Sequence, residues 1–137
     1  MFNEVLKEIQ SHNRIIIHRH HKPDGDAMGS QIGLKHLLLE NFPEKEVYMV
    51  GDDPGFYGFM EGSQMDTVPD AAYEGALAVI LDSGSTNMIC DDRYGLSSRT
   101  VRIDHHLFTG KIADCEVIDT SFESCCGMIA QFAMECG

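Results

Sequence analysis

The chain has 137 residues, of which 43% are hydrophobic and 23% charged, and its formal charge is −12. That length suits one domain with its own core, and the composition is globular rather than disordered. A long nucleic-acid duplex is a poor partner for such a surface, because its phosphates are gripped by Lys and Arg, and no apolar run approaches the ~20 residues of a membrane span.

In chain order, MFNEVLKEIQ carries charges throughout and lacks the apolar core of a signal peptide. The expectation is therefore a cytoplasmic protein. Phe2, Val5, Leu6 and Ile9 share one helical face, which predicts a helix over residues 1–10. RIIIH, residues 14–18, reads as a buried strand rich in β-branched residues. A polar loop, HHKPDGD, leads into a second amphipathic helix over 27–39, with Met28, Ile32, Leu37 and Leu38 as core residues. Residues 47–50 are a second strand, followed by a Gly- and Pro-containing loop to Pro69. ALAVIL, residues 76–81, is a third strand, 100–103 a fourth and 116–118 a short fifth. Residues 124–136 have helical character, and Asp119 is placed as the N-cap of that helix.

Strands alternating with helices or crossover loops, several apolar on both faces, predict an α/β fold. The expected form is a mostly parallel sheet of about five strands flanked by helices, in a single domain over 1–137. The five cysteines, Cys90, Cys115, Cys125, Cys126 and Cys136, are odd in number and lack C-x-x-C spacing. Neither a disulfide framework nor a cysteine zinc site is suggested.

Acidic and imidazole residues collect just past three predicted strand ends. His20, Asp24 and Asp26 follow the first strand, Asp82 the third, and Asp104, His105 and His106 the fourth. Ligands of open α/β sheets bind outside the carboxyl ends of the strands, where this topology would gather those residues. Mixed carboxylate and imidazole donors suit first-row divalent ions such as Mn²⁺, with Mg²⁺ or Co²⁺ as alternatives. Asp82, alone on its strand, is the natural bridge between two ions, which at ~3.5–4 Å apart stabilise a phosphoryl transfer and acidify a water. Taken singly, the residues have plainer roles: Asp26 is placed to cap the helix near Ala27, and Asp104 to orient a histidine. Two rival motifs fail. Asp24-Gly25-Asp26 begins like an EF-hand loop, but Met28 and Lys35 occupy its fifth and twelfth positions. No G-x-G-x-x-G fingerprint follows the first strand.

HRHHKPDGDAMGSQ resembles the first motif of the DHH-family phosphoesterases, LDS at 81–83 the second, and IDHH at 103–106 the motif that names them. RIIIHRHHKPDGDAMGSQIGL and YEGALAVILDSG followed by DDRYG are most similar to the bacterial nanoRNase and pAp-phosphatase branch. The resemblance implies hydrolysis of short RNA oligonucleotides or of 3′-phosphoadenosine 5′-phosphate (pAp). Cyclic-dinucleotide phosphodiesterase or pyrophosphatase activity is an alternative within the family, and a non-catalytic nucleotide-binding module is an alternative outside catalysis. By motif position, His20 and Asp24 would bind a first metal, Asp26 and His105 a second, and Asp82 both. Asp104 would orient a DHH histidine, and His106 would contact phosphate or protonate the leaving oxygen. Arg19 lies beside the first motif, and facing substrate is one option for it. The family's fourth aspartate and its C-terminal substrate-gripping domain are not found before Gly137, so the expectation is an N-terminal domain of a longer protein. The metals rather than a basic groove would then recognise phosphate. Oligomeric state is left open, with a homodimer among the options.

Overall fold

A computed structural model describes residues 1–108 and 110–136. β1 (Arg14–His18), β2 (Glu46–Met49), β3 (Leu77–Leu81), β4 (Arg99–Asp104) and β5 (Cys115–Ile118) form one sheet in the order β2-β1-β3-β4-β5. Every neighbouring pair is parallel, with Ile16 opposite Tyr48 on one side and Ala78 on the other. β1 and β3 lie inside the sheet, which is why RIIIH and LAVIL read as apolar on both faces.

The helices are α1 (Asn3–Ser11), α2 (Gly25–Asn41) and α3 (Cys125–Cys136). All three contribute to one apolar cluster: Val5 and Ile9 from α1, Leu34 and Leu38 from α2, Met128 and Phe132 from α3. They pack there against Ile15, Ile17, Val79, Val101 and Ile103 of the sheet. The expected helical flanking is thus concentrated on one face. The other face is covered by irregular chain and short 3₁₀ turns, with Val68, Tyr73 and Ala76 packed on Ile16. Composition explains the difference, since the β2–β3 connection carries Gly51, Pro54, Gly55, Gly58, Gly62, Pro69 and Gly75, which sustain no long helix. None of the described helices is long and apolar enough to cross a membrane.

Two capping assignments change. Asp24, not Asp26, caps α2, its Oδ1 accepting the Ala27 N–H at 2.8 Å. Asp119 does not cap α3, which begins six residues later; its carboxylate instead accepts the N–H and hydroxyl of Ser121. The start of α3 is held by Ser124, whose Oγ accepts the Gly127 N–H at 3.0 Å. A serine cap lies closer to the helix start and satisfies the same orphan donors.

Candidate metal centre

β1 ends at His18, and the next three residues diverge in fate. His18 is buried under the irregular face, with Nδ1 3.0 Å from the Asp91 carbonyl and Nε2 3.1 Å from the Tyr73 hydroxyl. Burial depresses it to about 4, so it is neutral. Arg19 is fully buried and turned away from the loop's outer surface: it pairs with Asp52, donates to the His20 carbonyl at 3.1 Å, and reaches Gln31. Gln31 in turn donates to the carbonyls of Ile17 and Val50. The substrate-facing option for Arg19 is therefore replaced by a structural one. Gly51 is fitted to this guanidinium: its φ is +148°, and a Cβ there would lie 2.8 Å from Arg19 Cζ.

His20 points the other way. Its Nδ1 lies 2.7 Å from the His21 carbonyl and donates to it, so Nε2 is the nitrogen left to bind a cation once its proton is lost. Nε2 faces Asp82 Oδ2 at 3.4 Å and Asp24 Oδ1 at 3.7 Å. On the neighbouring strands, His105 Nε2 lies 3.2 Å from Asp82 Oδ1 and 3.4 Å from Asp26 Oδ2. Asp82 therefore divides its two oxygens between two donor sets. It is 2% exposed and adopts φ +54°, a conformation uncommon outside glycine, that sets its side chain at the end of β3. Asp26 sits in the first turn of α2, and its carboxylate accepts the Cys125 and Cys126 N–H groups at 2.9 Å each. The start of α3 thereby orients this side chain across the sheet edge.

Asp104, buried, accepts from His106 Nδ1 at 2.6 Å, which leaves His106 Nε2 as the outward nitrogen. The seven residues singled out from the sequence thus converge at one sheet edge. Sequence reasoning missed the backbone donors of Cys125 and Cys126; the serine before the CCGM turn is the signal that an exposed helix start lay nearby.

The electrostatics describe a site short of positive charge. Hydrogen bonding to Asp82 is the chief reason His20 rises to about 9. Asp82 nonetheless lies above the usual carboxylate range, first because it is buried and then because Asp26 and Asp24 repel it. For Asp26, burial works against ionisation, but the Cys125 and Cys126 N–H groups win and hold it low. A pair that simply neutralised itself would lower its carboxylate while raising its imidazole. Here both rise, because burial of Asp82 outweighs its bond to His20 and the neighbouring Asp26 and Asp24 add to the effect. Donor groups that could hold a metal ion include His20, Asp24 and Asp82, and Asp82, His105 and His106. The oxygen and nitrogen donors, the separations of 3.2–3.7 Å and the excess negative charge all fit divalent cations. A third group, His21, Asp52 and Cys90, lies beside the Arg19 pocket, where the guanidinium already occupies Asp52.

Residues 14–136 match the model of the DHH family, N-terminal domain. The chain belongs to the DHH family. Within it, the chain is 39% identical over 134 residues to a probable bifunctional oligoribonuclease and PAP phosphatase NrnA of Streptococcus mutans, covering 98% of this chain and 43% of the relative. It is 36% identical over 135 residues to the bifunctional oligoribonuclease and PAP phosphatase NrnA of Bacillus subtilis, covering 98% and 42% respectively. The crystal structure of an exopolyphosphatase-related protein from Bacteroides fragilis superposes with a TM-score of 0.86 at 25% identity, over 99% of this DHH domain and 43% of that protein. The chain thus spans less than half the length of these relatives.

Proposed function

We propose that this DHH domain is the metal-binding part of a Mn²⁺-dependent phosphoesterase that hydrolyses short oligoribonucleotides and pAp. The observation that carries the reading is the division of Asp82 between His20 and His105. His20, Asp24 and Asp82 would hold one cation, and Asp26, His105 and Asp82 the other. Such ions polarise phosphoryl oxygens and lower the pKa of water, which supplies the nucleophile and the charge stabilisation of phosphate-ester hydrolysis.

The chain's own residues do the rest. The His21 carbonyl fixes the His20 tautomer so that Nε2 offers a lone pair. The Cys125 and Cys126 N–H groups keep Asp26 ionised. Asp104 holds His106 by Nδ1, so Nε2 is free to deliver a proton to the departing oxygen or to hydrogen-bond phosphate. In this reading a second domain of the parent protein grips the substrate. The names of the Streptococcus and Bacillus relatives support the choice of substrates.

Calorimetric titration of metal-stripped chain with Mn²⁺ should give two ions per chain. Full-length parent protein should then release phosphate from pAp and mononucleotides from dinucleotides. Turnover confined to pyrophosphate or to a cyclic dinucleotide would overturn the substrate assignment, and binding of no metal would overturn the whole reading.

A further inference from the structure

The connection after β2 carries an aromatic cluster that the metal centre does not use. Residues Gly55–Phe59, GFYGF, form a 3₁₀ turn. Phe56 is 81% exposed and Phe59 73%, an expensive display of apolar surface in water. The rings are not splayed at random. Phe56 meets Tyr57 edge-on with centroids 5.2 Å apart, and Phe59 at 5.6 Å and 71°. Local bonds hold the turn: Gly55 N–H to Asp53, Tyr57 N–H to the Pro54 carbonyl, and the Ser63 hydroxyl to the Gly58 carbonyl.

Position gives the cluster meaning. A Cβ built on Gly25 would lie 3.6 Å from Tyr57 Cε1, and Gly25 stands between Asp24 and Asp26. At its base, Asp52 accepts the Lys22 N–H and pairs with Arg19, tying the segment to the same loop. The aromatic turn therefore borders the candidate metal centre. Residues 52–66 contain Asp52, Asp53, Glu61 and Asp66 and no Lys or Arg. Asp52 is paired with Arg19 and Asp66 with Lys35, so Asp53 and Glu61 leave the turn weakly acidic, with no cation in the segment to hold a phosphate. The turn offers neutral planar groups a π-face instead.

We propose that Phe56 and Phe59, backed by Tyr57, are a stacking platform for the nucleobase of a nucleotide whose phosphate sits at the Asp24–Asp26–Asp82 cluster. This rests on the phosphoesterase reading and adds what that reading lacks, a contact that distinguishes a nucleotide from any other phosphate ester. Stacking on an aromatic face tolerates every base, so the platform selects nucleotides as a class and not a sequence.

The chain contains no tryptophan, so Phe56→Trp installs a single reporter on an exposed position. In Mg²⁺, adenosine 5′-monophosphate should quench it saturably, whereas ribose 5-phosphate should not. Calorimetry on the unsubstituted chain should show tighter binding of adenosine 5′-monophosphate than of ribose 5-phosphate by about fivefold or more, the scale of one base stacked on an aromatic side chain. Phe56→Ala combined with Phe59→Ala should bring that ratio close to one. A ratio that the double variant leaves intact, or a tryptophan silent to the nucleotide, overturns the platform. So does a blue-shifted reporter before any ligand is added, whether concentration-dependent in this chain (a second copy) or found only in the full-length parent (its other domain). Failure of the two proposals is separable. Base-selective binding without hydrolysis supports the platform and removes the enzyme reading, while hydrolysis with a flat binding ratio removes the platform alone.

Discussion

Two polar clusters begin on consecutive residues at the end of β1, and they are built to opposite specifications. Around Arg19, one guanidinium meets Asp52, Gln31 and backbone carbonyls, and the charges close on themselves. Around His20, Asp24, Asp26, Asp82 and Asp104 meet three imidazoles, and the charges do not close. A closed cluster fixes the path of the chain; an open one is completed by something from solution. Charge balance therefore separates scaffold from site where residue type alone does not.

The contrast can be broken from either side. Asp82→Asn is the severest test of the open cluster, and Asn tolerates the left-handed backbone at this position. It should weaken binding of both cations by about a hundredfold or more, at least the loss seen when residues that only orient a metal ligand are changed. The urea midpoint of metal-free protein, measured above about pH 9 where His20 carries no proton to share with Asp82, should stay the same or rise, because a buried and repelled carboxylate has been neutralised. A lowered midpoint would assign Asp82 a structural role instead. On the closed side, Asp52→Ala strands a buried guanidinium. It should cost about 2–3 kcal/mol in urea unfolding, less than a wholly buried pair, because the Asp52 side chain is 39% exposed.

Proton linkage sharpens the comparison further. A cation must displace the proton that His20 holds up to about 9, so Mg²⁺ affinity should climb about tenfold per pH unit below 9 and flatten above it. A flat profile from pH 7 to 9 would remove His20 from the ligand set. Without metal, a folded pKa above the unfolded value means that His20 stabilises below pH 6.5. That contribution is lost as pH rises through about 9. His18 should show the reverse effect. Its pKa is depressed to about 4, so its contribution is present above 6.5 and lost as pH falls through 4. Thermal unfolding of a His18→Gln variant should be less sensitive to acid in that window than the parent chain.

Much of this was legible in advance because its causes are local. Runs such as RIIIH and LAVIL declare interior strands, and placing His20, Asp82 and His105 beyond strand ends requires only the parallel topology. What escaped depends on contacts across about thirty to a hundred residues of chain. Arg19 and His20 look alike as polar residues in a loop; only Asp52 and Gln31, from distant segments, separate them. Asp119 is a fair cap by type, but the turn at Ser121 captures it first. The gathering of all three helices on one face follows from glycines and prolines in the connections, which tell where a helix fails and not which side it leaves bare.

The pairing of β1 with β3 has a kinetic consequence. His18 lies beside Ile80, so His20 and Asp82 become neighbours only after about sixty residues of intervening chain have closed into a loop. During synthesis the chain must therefore emerge past β3 before the two residues can meet, and past β4 before His105 joins them. Until then His20, Asp24 and Asp26 lack the Asp82 and His105 donors, and both halves of the centre are incomplete.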